Sequence, residues 1–268
     1  MELTERQRNE LEYHREHARE NADILEKPFS WDVLDRPARR WWNAYWHLYT
    51  HITDFDLRDK RVLVVGCGFG DDALRIAKLG AKVFAFDLSP ESLSIARSLA
   101  EREGLDIEFT EMPAESLLYE DDFFDYVIVR DILHHVDIPR AMSEIRRVSK
   151  PGALFLMSEI YSHSMTDRIR NSHLVENVIY PKMQRYIYGK SNPYITEDER
   201  KLTEQDVREI LKYVKDLNFT TYFDFLVTRI IPQRFTLFAK LDRLVLKVLR
   251  PIGHWVAGRI MFSGHIAK

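Results

Sequence analysis

Residues Val62–Gly70 read Val-Leu-Val-Val-Gly-Cys-Gly-Phe-Gly, and their reading decides the fold. An apolar run passes directly into three alternating glycines, Gly66, Gly68 and Gly70. This is the pattern of a buried parallel strand ending in a tight turn where a ligand meets the main chain. Asp71–Leu79 reads as a helix whose N-terminus points into the same space. A second apolar strand, Lys82–Phe86, then ends in Asp87, and an acid there suits the two hydroxyls of a ribose. Strands at Ile107–Glu111, Phe124–Val129 and Ala153–Glu159 continue the pattern, with helices at Pro90–Glu103 and Pro139–Ser149. Ser89-Pro90 and Asp137 are sound helix starts. Repeated strand–helix units predict a parallel sheet with its ligand at the strand C-termini.

Spacing separates two nucleotide readings. A dinucleotide fingerprint G-x-G-x-x-G starting at Gly66 requires Gly or Ala at the position held by Asp71. A carboxylate there repels a pyrophosphate, which argues against a nicotinamide oxidoreductase. A ligand with a ribose, an adenine and no phosphate fits better, and S-adenosylmethionine (SAM) is such a ligand. Four pieces of the chain, in order, resemble the class I SAM-dependent methyltransferases. They are Val62–Gly70, then Val83–Pro90 ending in Asp87-Leu88-Ser89-Pro90, then Phe123–Val136 with its Leu133-His134-His135-Val136, and Val148–Ile160 with Lys150-Pro151-Gly152 before an apolar strand. The resemblance covers roughly Arg61–Ile160. It implies a doubly wound, mostly parallel seven-stranded α/β sheet of the Rossmann-like methyltransferase type, with an N-terminal helical cap and inserted helices. It implies SAM as cofactor and S-adenosylhomocysteine as product. The residues it points to for the cofactor are Gly66, Cys67, Gly68, Phe69, Gly70, Asp71, Asp87, Leu88, Met112, Ala114, Glu115 and Arg130.

Two positions depart from the family pattern. Its usual acid two residues before the first glycine is Val64 here, and the acid before the Ala114-Glu115 pair is Pro113. The grip on the methionine part of SAM is therefore expected to lean on backbone groups, or on Asp71 and Asp72. Cys67 reads as a small side chain fitting the turn rather than as a nucleophile.

The chain of 268 residues carries a net charge of −3, which gives no reason to expect nucleic acid as partner. Cys67 is the only cysteine, so no intrachain disulfide forms. The charged N-terminus has no apolar leader and no stretch is long enough to cross a bilayer, so a cytoplasmic protein is predicted. The boundaries read as a helical cap over 1–56, a SAM-binding core over 57–160, an acceptor-side insert over 161–202, and a C-terminal completion of the sheet over 203–268. Within the cap, Leu3–Glu26 and Asp35–Ile52 read as helices. The insert is polar and aromatic, with Pro181, Pro193, Tyr180, Tyr186, Tyr188 and Tyr194. Thr203 with Asp206 signals a capping box and a helix to Leu217, followed by a strand at Phe219–Val227, a helix at Phe235–Leu249 and a last strand at Arg259–Ala267.

Methyl transfer needs alignment of the nucleophile and exclusion of water, and a base only for a protonated acceptor. His134 and His135, after the fourth strand, are the base candidates, and Asp131 is a third. The alternative for each is a packing or loop-holding role. Adjacent histidines on an extended chain point apart, and no metal site is predicted. The run Trp41, Trp42, Tyr45, Trp46 and Tyr49 can cover an acceptor pocket or fill the core, and both readings stay open. The C-terminal helix carries Lys240, Arg243, Lys247 and Arg250 against Asp242, with Arg229, Arg234 and Arg259 flanking it. Such a helix, over 235–250, lies on an anionic membrane, packs on a second subunit, or packs on its own domain. The predicted function is methyl transfer from SAM to a small, lipophilic or lipid-linked acceptor, with O-methylation ahead of C- or N-methylation. The alternative is a SAM-binding subunit or sensor without transferase activity.

Overall fold

The computed structural model describes residues 4–170, 172–188, 200–226, 231–232 and 234–268. Pro193, Tyr194, Val227, Arg229 and the side chain of Tyr188 lie outside the described residues. In chain order the elements are α1 (Glu5–Glu20), α2 (Ala44–Ile52), β1 (Arg61–Val65), α3 (Asp71–Lys78), β2 (Lys82–Asp87), α4 (Pro90–Arg102), β3 (Ile107–Glu111) and β4 (Phe124–Arg130). They continue with α5 (Ile138–Val148), β5 (Ser149–Ile160), α6 (Ser164–Arg170), α7 (Tyr180–Tyr188), α8 (Glu204–Ile210), β6 (Val214–Phe223), α9 (Thr236–Val248), α10 (Gly253–Val256) and β7 (Arg259–Ile266).

The strands form one seven-stranded sheet in the order β3-β2-β1-β4-β5-β7-β6. β7 runs antiparallel to both its neighbours, and the other pairings are parallel. This is the doubly wound, mostly parallel sheet expected from the sequence. Strand β1 shows why both faces must be covered. Leu63 and Val65 feed the core on one face and Val62 and Val64 the core on the other, so a continuous apolar run suits a central strand. Helix starts follow local chemistry: Ser89 Oγ accepts from Ser92 N at 3.1 Å, and Asp137 Oδ1 from Arg140 N at 3.0 Å. The register aligns Val65 with Phe86 and Val129, Asp87 with Glu111, and Arg130 with Ser158. The strand C-termini therefore end in one row.

Elements outside the core depart from the sequence reading. The expected helix Asp35–Ile52 is helical only from Ala44, because the Asn43 side chain accepts from Trp46 N and caps it there. Trp41 and Trp42 thus stand before the helix. The helix expected to reach Leu217 ends at Ile210, and the strand expected at Phe219–Val227 starts at Val214. Pairing with β7 claims this β-branched and aromatic stretch. Asp216, with φ +50°, takes up the register shift between Lys215 and Phe219. The Thr203 capping box forms as read.

Candidate active site

A cavity of about 470 Å³ opens at the row of strand ends, a size that suits a small-molecule cofactor. The glycines that frame it serve different ends. At Gly66 (φ +61°) a Cβ would lie 2.6 Å from Ile132 Cγ1, and at Gly70 (φ +85°) 3.0 Å from Ala96 Cβ. These two permit close packing of the loop on the β4 loop and on α4. At Gly68 (φ +52°) nothing lies within 4 Å of an added Cβ, so it is Gly68 that turns bare backbone toward the cavity. Asp87, buried at the end of β2, is fixed by this loop. Its Oδ2 accepts from Gly68 N at 2.8 Å and its Oδ1 from Ser89 N at 2.9 Å. Each oxygen keeps a second lone pair. Leu88, Met112, Pro113, Ala114 and Glu115 form the adjoining wall. Burial, then the Asp87 charge, pushes the Cys67 thiol well above its ordinary range, which leaves it protonated and unreactive.

His134 and His135 sit in a one-turn 3₁₀ helix, Leu133–His135, and both line the cavity. Their ring centroids are 3.9 Å apart. The two rings do not point apart as expected of neighbours on an extended chain, because this stretch is a 3₁₀ turn. Each Nδ1 meets a different carboxylate: Glu159 Oε2 at 2.7 Å for His134, and Glu10 Oε1 at 2.9 Å for His135. Glu159 is fully buried at the end of β5. Its Oε1 also accepts from Ile132 N and Leu133 N, both at 2.7 Å. One carboxylate thus fixes both the loop and the ring of His134. Among the described residues no group of three His, Cys, Asp or Glu is placed to hold a metal ion.

Asp131, with φ +55°, is engaged differently. Its Oδ1 accepts from Arg259 Nη1 at 2.6 Å, and Oδ2 stands 3.6 Å from Arg130 Nη1. Burial alone would raise its carboxyl, but Arg259 and then Arg130 hold it below the usual range. An acid so held is a weak proton acceptor. Arg130 also donates through Nε to Asp72 Oδ2 at 2.5 Å, and Tyr49 donates its hydroxyl to Asp72 Oδ1. Asp71 lines the cavity with Arg75 Nη1 at 3.4 Å.

The aromatic run does not line the cavity. Tyr45 accepts from Arg75 Nη1 and lies under the Arg130 guanidinium, 4.7 Å from its ring centroid. Trp46 packs against the core below the sheet with Arg40 over its ring. Trp41 and Trp42 face Lys247 and Lys240 of α9. The helix start at Asn43 turns these rings toward the core and α9. The roof is instead α1, through Gln7, Glu10, His14 and His17. Gln7 Nε2 donates to Glu115 Oε2 at 3.2 Å, and His17 stacks on Phe69 at 5.3 Å. Sequence reasoning assigned these four no role. Their spacing, one helical face of polar groups, was the available signal.

A family model described as a methyltransferase domain matches residues 63–157. The ubiquinone biosynthesis O-methyltransferase of Cereibacter sphaeroides (strain ATCC 17029) is 35% identical over 37% of this chain and 41% of its own length. The chain thus spans less than half of that relative. The ubiquinone/menaquinone biosynthesis C-methyltransferase UbiE of Bartonella quintana is 31% identical over 65% of this chain and 70% of its own length. The chain belongs to the class I SAM-dependent methyltransferases. A solved SAM-dependent methyltransferase from Aquifex aeolicus shares the fold at 15% identity, with TM-score 0.51 over 82% of this chain and 89% of that one. SAM is the cofactor of this methyltransferase family, and the cavity fits it on two counts. A buried carboxylate with spare lone pairs suits vicinal hydroxyls, and the bare backbone at Gly68 leaves room that a side chain would fill.

Proposed function

We propose that the protein transfers a methyl group from SAM to a hydroxyl of a lipophilic, quinone-related aromatic acceptor. The observation that carries this reading is the buried His134–Glu159 pair in the same cavity as Asp87. In this reading Asp87 takes the ribose hydroxyls. Leu88, Met112 and Ala114 flank the adenine, with Glu115 at its edge. The glycine loop, Gly66–Gly70, and the Arg130 main chain hold the methionine part. Val64 is buried in the core, so Asp71 takes over the ammonium of the methionine moiety. Asp72 is already committed to Arg130 and Tyr49. When bound, SAM supplies a methyl group on a sulfonium, activated for in-line displacement.

The chain's own groups do the remaining work. Glu159 accepts Nδ1–H of His134, which leaves the lone pair on Nε2. His134 Nε2 takes the hydroxyl proton of the acceptor as the oxygen becomes nucleophilic. Glu159 stabilises the resulting imidazolium and holds its orientation. Arg259 keeps Asp131 charged and out of proton transfer. Helix α1 excludes water from above, with His135 tied to Glu10.

The acceptor class rests on the relatives named for ubiquinone biosynthesis. A second reading, C-methylation, is favoured by the longer match to UbiE. The test is incubation with SAM and a panel of alkylated phenols and hydroquinones, read by mass and by the carbon–proton connectivity of the new methyl group. An O–CH₃ product lost in His134→Gln supports the proposal. A C–CH₃ product moves it to the second reading. Tight SAM binding with no product from any acceptor points to a non-catalytic binding subunit.

A further inference from the structure

Helix α9 faces the wrong way for a helix that packs on its own domain. Its inward side carries Asp242 and Arg243 beside Ala239 and Leu246, all buried. Its outward side carries Leu237, Phe238, Leu241, Leu244, Val245 and Val248, all exposed, Val248 at 81%. The polar pair dictates this orientation. Asp242 accepts from Phe225 N at 2.9 Å and Leu226 N at 2.7 Å. Arg243 donates to Tyr222 O at 3.0 Å and lies 4.1 Å from the Phe223 ring centroid. Capping of main-chain groups at the sheet edge ties the helix down by its charges and turns its apolar stripe to the outside. A contiguous exposed stripe of this kind marks a binding surface.

The charge around the stripe says what covers it. Beyond Asp224, Asp242 is the chain's only acid, and it is turned inward. Arg234, Lys240, Lys247 and Arg250 stand along the helix. Lys240 Nζ lies 4.5 Å from the Trp42 ring centroid and Lys247 Nζ 5.4 Å from that of Trp41. Tryptophan beside lysine is the pairing of the membrane–water boundary, where rings sit at headgroup level and ammonium groups reach phosphates. The neighbouring α10 and α6 extend the surface with exposed Trp255, Met165 and Ile169, joined where Thr166 Oγ1 donates to Trp255 O. Both helices lead straight to the cavity: α6 follows Ile160, and α10 precedes Arg259, each a lining residue.

We propose that α9, with Trp41, Trp42 and Trp255, seats the protein on an anionic phospholipid surface. The stripe enters the headgroup boundary, the four cations meet lipid phosphates, and the cavity mouth lies beside the bilayer. The docking stands on α9 alone; only its use, delivery of a lipophilic acceptor, rests on the function proposed above.

The test is co-flotation of the full chain with vesicles of phosphatidylcholine alone, or with about one third phosphatidylglycerol. Binding is expected to the anionic vesicles only and to weaken with salt. The double variant Lys240→Glu, Lys247→Glu is expected to lose at least about tenfold in partitioning, since one cation near such a surface is worth about fivefold. Leu237→Gln with Val248→Gln, both at exposed positions, is expected to lose about as much even at low salt. SAM titration by calorimetry is run on each variant and is expected to be unchanged, which separates failure of docking from failure of the cofactor site. No flotation of the native chain on any vesicle overturns the proposal. A dimer that dissociates in Leu237→Gln, Val248→Gln while vesicles stay unbound also overturns it, with a second copy as the cover.

Discussion

The floor and the roof of the cavity are built on opposite principles. In the floor each functional carboxylate is held by main-chain or guanidinium groups of the same sheet end: Asp87 by Gly68 and Ser89, Glu159 by Ile132 and Leu133, Asp131 by Arg259. The roof, α1, reaches the core mostly through side chains, among them Gln7 with Glu115, Glu10 with His135, Arg15 with Glu91 at 3.1 Å, His17 on Phe69, and Ala18 in a small apolar cluster with Leu74 and Leu99. The half-exposed contacts contribute of order 1 kcal/mol or less each, and the buried Glu10–His135 pair is the strongest tie. The floor is preorganised in the sense that matters for catalysis, and the roof is the element expected to open first.

The largest expected effects lie in the floor. Asp87→Ala removes the proposed ribose acceptor and leaves Gly68 N and Ser89 N without their carboxylate. SAM affinity is expected to fall by at least about 100-fold, corresponding to two charge-assisted hydrogen bonds, as read by calorimetry. An affinity within threefold of native would remove Asp87 from the cofactor site. His134→Gln comes next, with kcat down by about 10²–10³ while SAM affinity holds. Glu159→Gln is expected to lower kcat less and to shift the pH profile of kcat, because it acts through the ring it orients. An equal loss of SAM affinity in these variants would recast the pair as scaffold. Gly66→Ala follows: a Cβ at φ +61° overlaps Ile132, at an expected cost of about 3 kcal/mol in urea unfolding.

The floor was legible in the sequence because its determinants are local. The apolar strand, the alternating glycines and the terminal Asp87 lie within one strand–helix–strand unit, and period and spacing reveal them. The Glu159 partnership was not legible, since it joins the ends of β4 and β5 across 25 positions. The histidine geometry was not legible because a 3₁₀ turn, not extended chain, follows β4. A helical cap was legible over 1–56, but which of its side chains meet the cavity was not, since nothing local in α1 says which wall its Glu and His stripe will meet. The aromatic run could not be divided between pocket and core by its density alone. Tyr45 and Tyr49 line the cluster of Arg75, Arg130 and Asp72, and polar clusters leave no hydropathy signal. In α9 the direction of the apolar stripe was not legible, because it is set by two inward charges, Asp242 and Arg243, whose partners lie outside the helix.

Helix α2 packs on the sheet core through Leu48, Tyr49 and Ile52, and pH tests how firmly it is held. Burial, then the neighbouring His51, Arg243 and Lys247 charges, lowers His47 to about 4 from its ordinary 6.5. Folded, the ring stays neutral down to about pH 4, whereas the unfolded chain takes its proton near 6.5. The unfolded state binds the extra proton between these values, so stability falls as pH drops from about 6.5 to about 4. The loss is of order 2 kcal/mol once the partial exposure of the ring is allowed for. His47→Phe, which keeps a ring against Phe223, is expected to flatten that part of the curve in thermal unfolding at pH 7, 5.5 and 4.5. An unchanged acid slope would mean that α2 is released before His47 titrates, placing it with the roof.

The smallest effect is the one that decides the comparison. Glu10→Gln keeps a hydrogen-bond acceptor for His135 and removes the charge, so the fold and the floor are expected to stay intact. SAM dissociation is expected to speed up by about two- to fivefold, matching a loss of about 0.5–1 kcal/mol in closure, with SAM association little changed. Hydrogen exchange supplies the independent reading. Native α1 amides are expected to exchange orders of magnitude faster than those of β1 and β4, and to slow when SAM is bound beneath them. If α1 exchanges as slowly as β1 in the free protein, the roof is as fixed as the floor. The Glu10–His135 pair would then be a structural bond within a closed cavity, and ligands would have to enter from the side of Ile160 and Arg259.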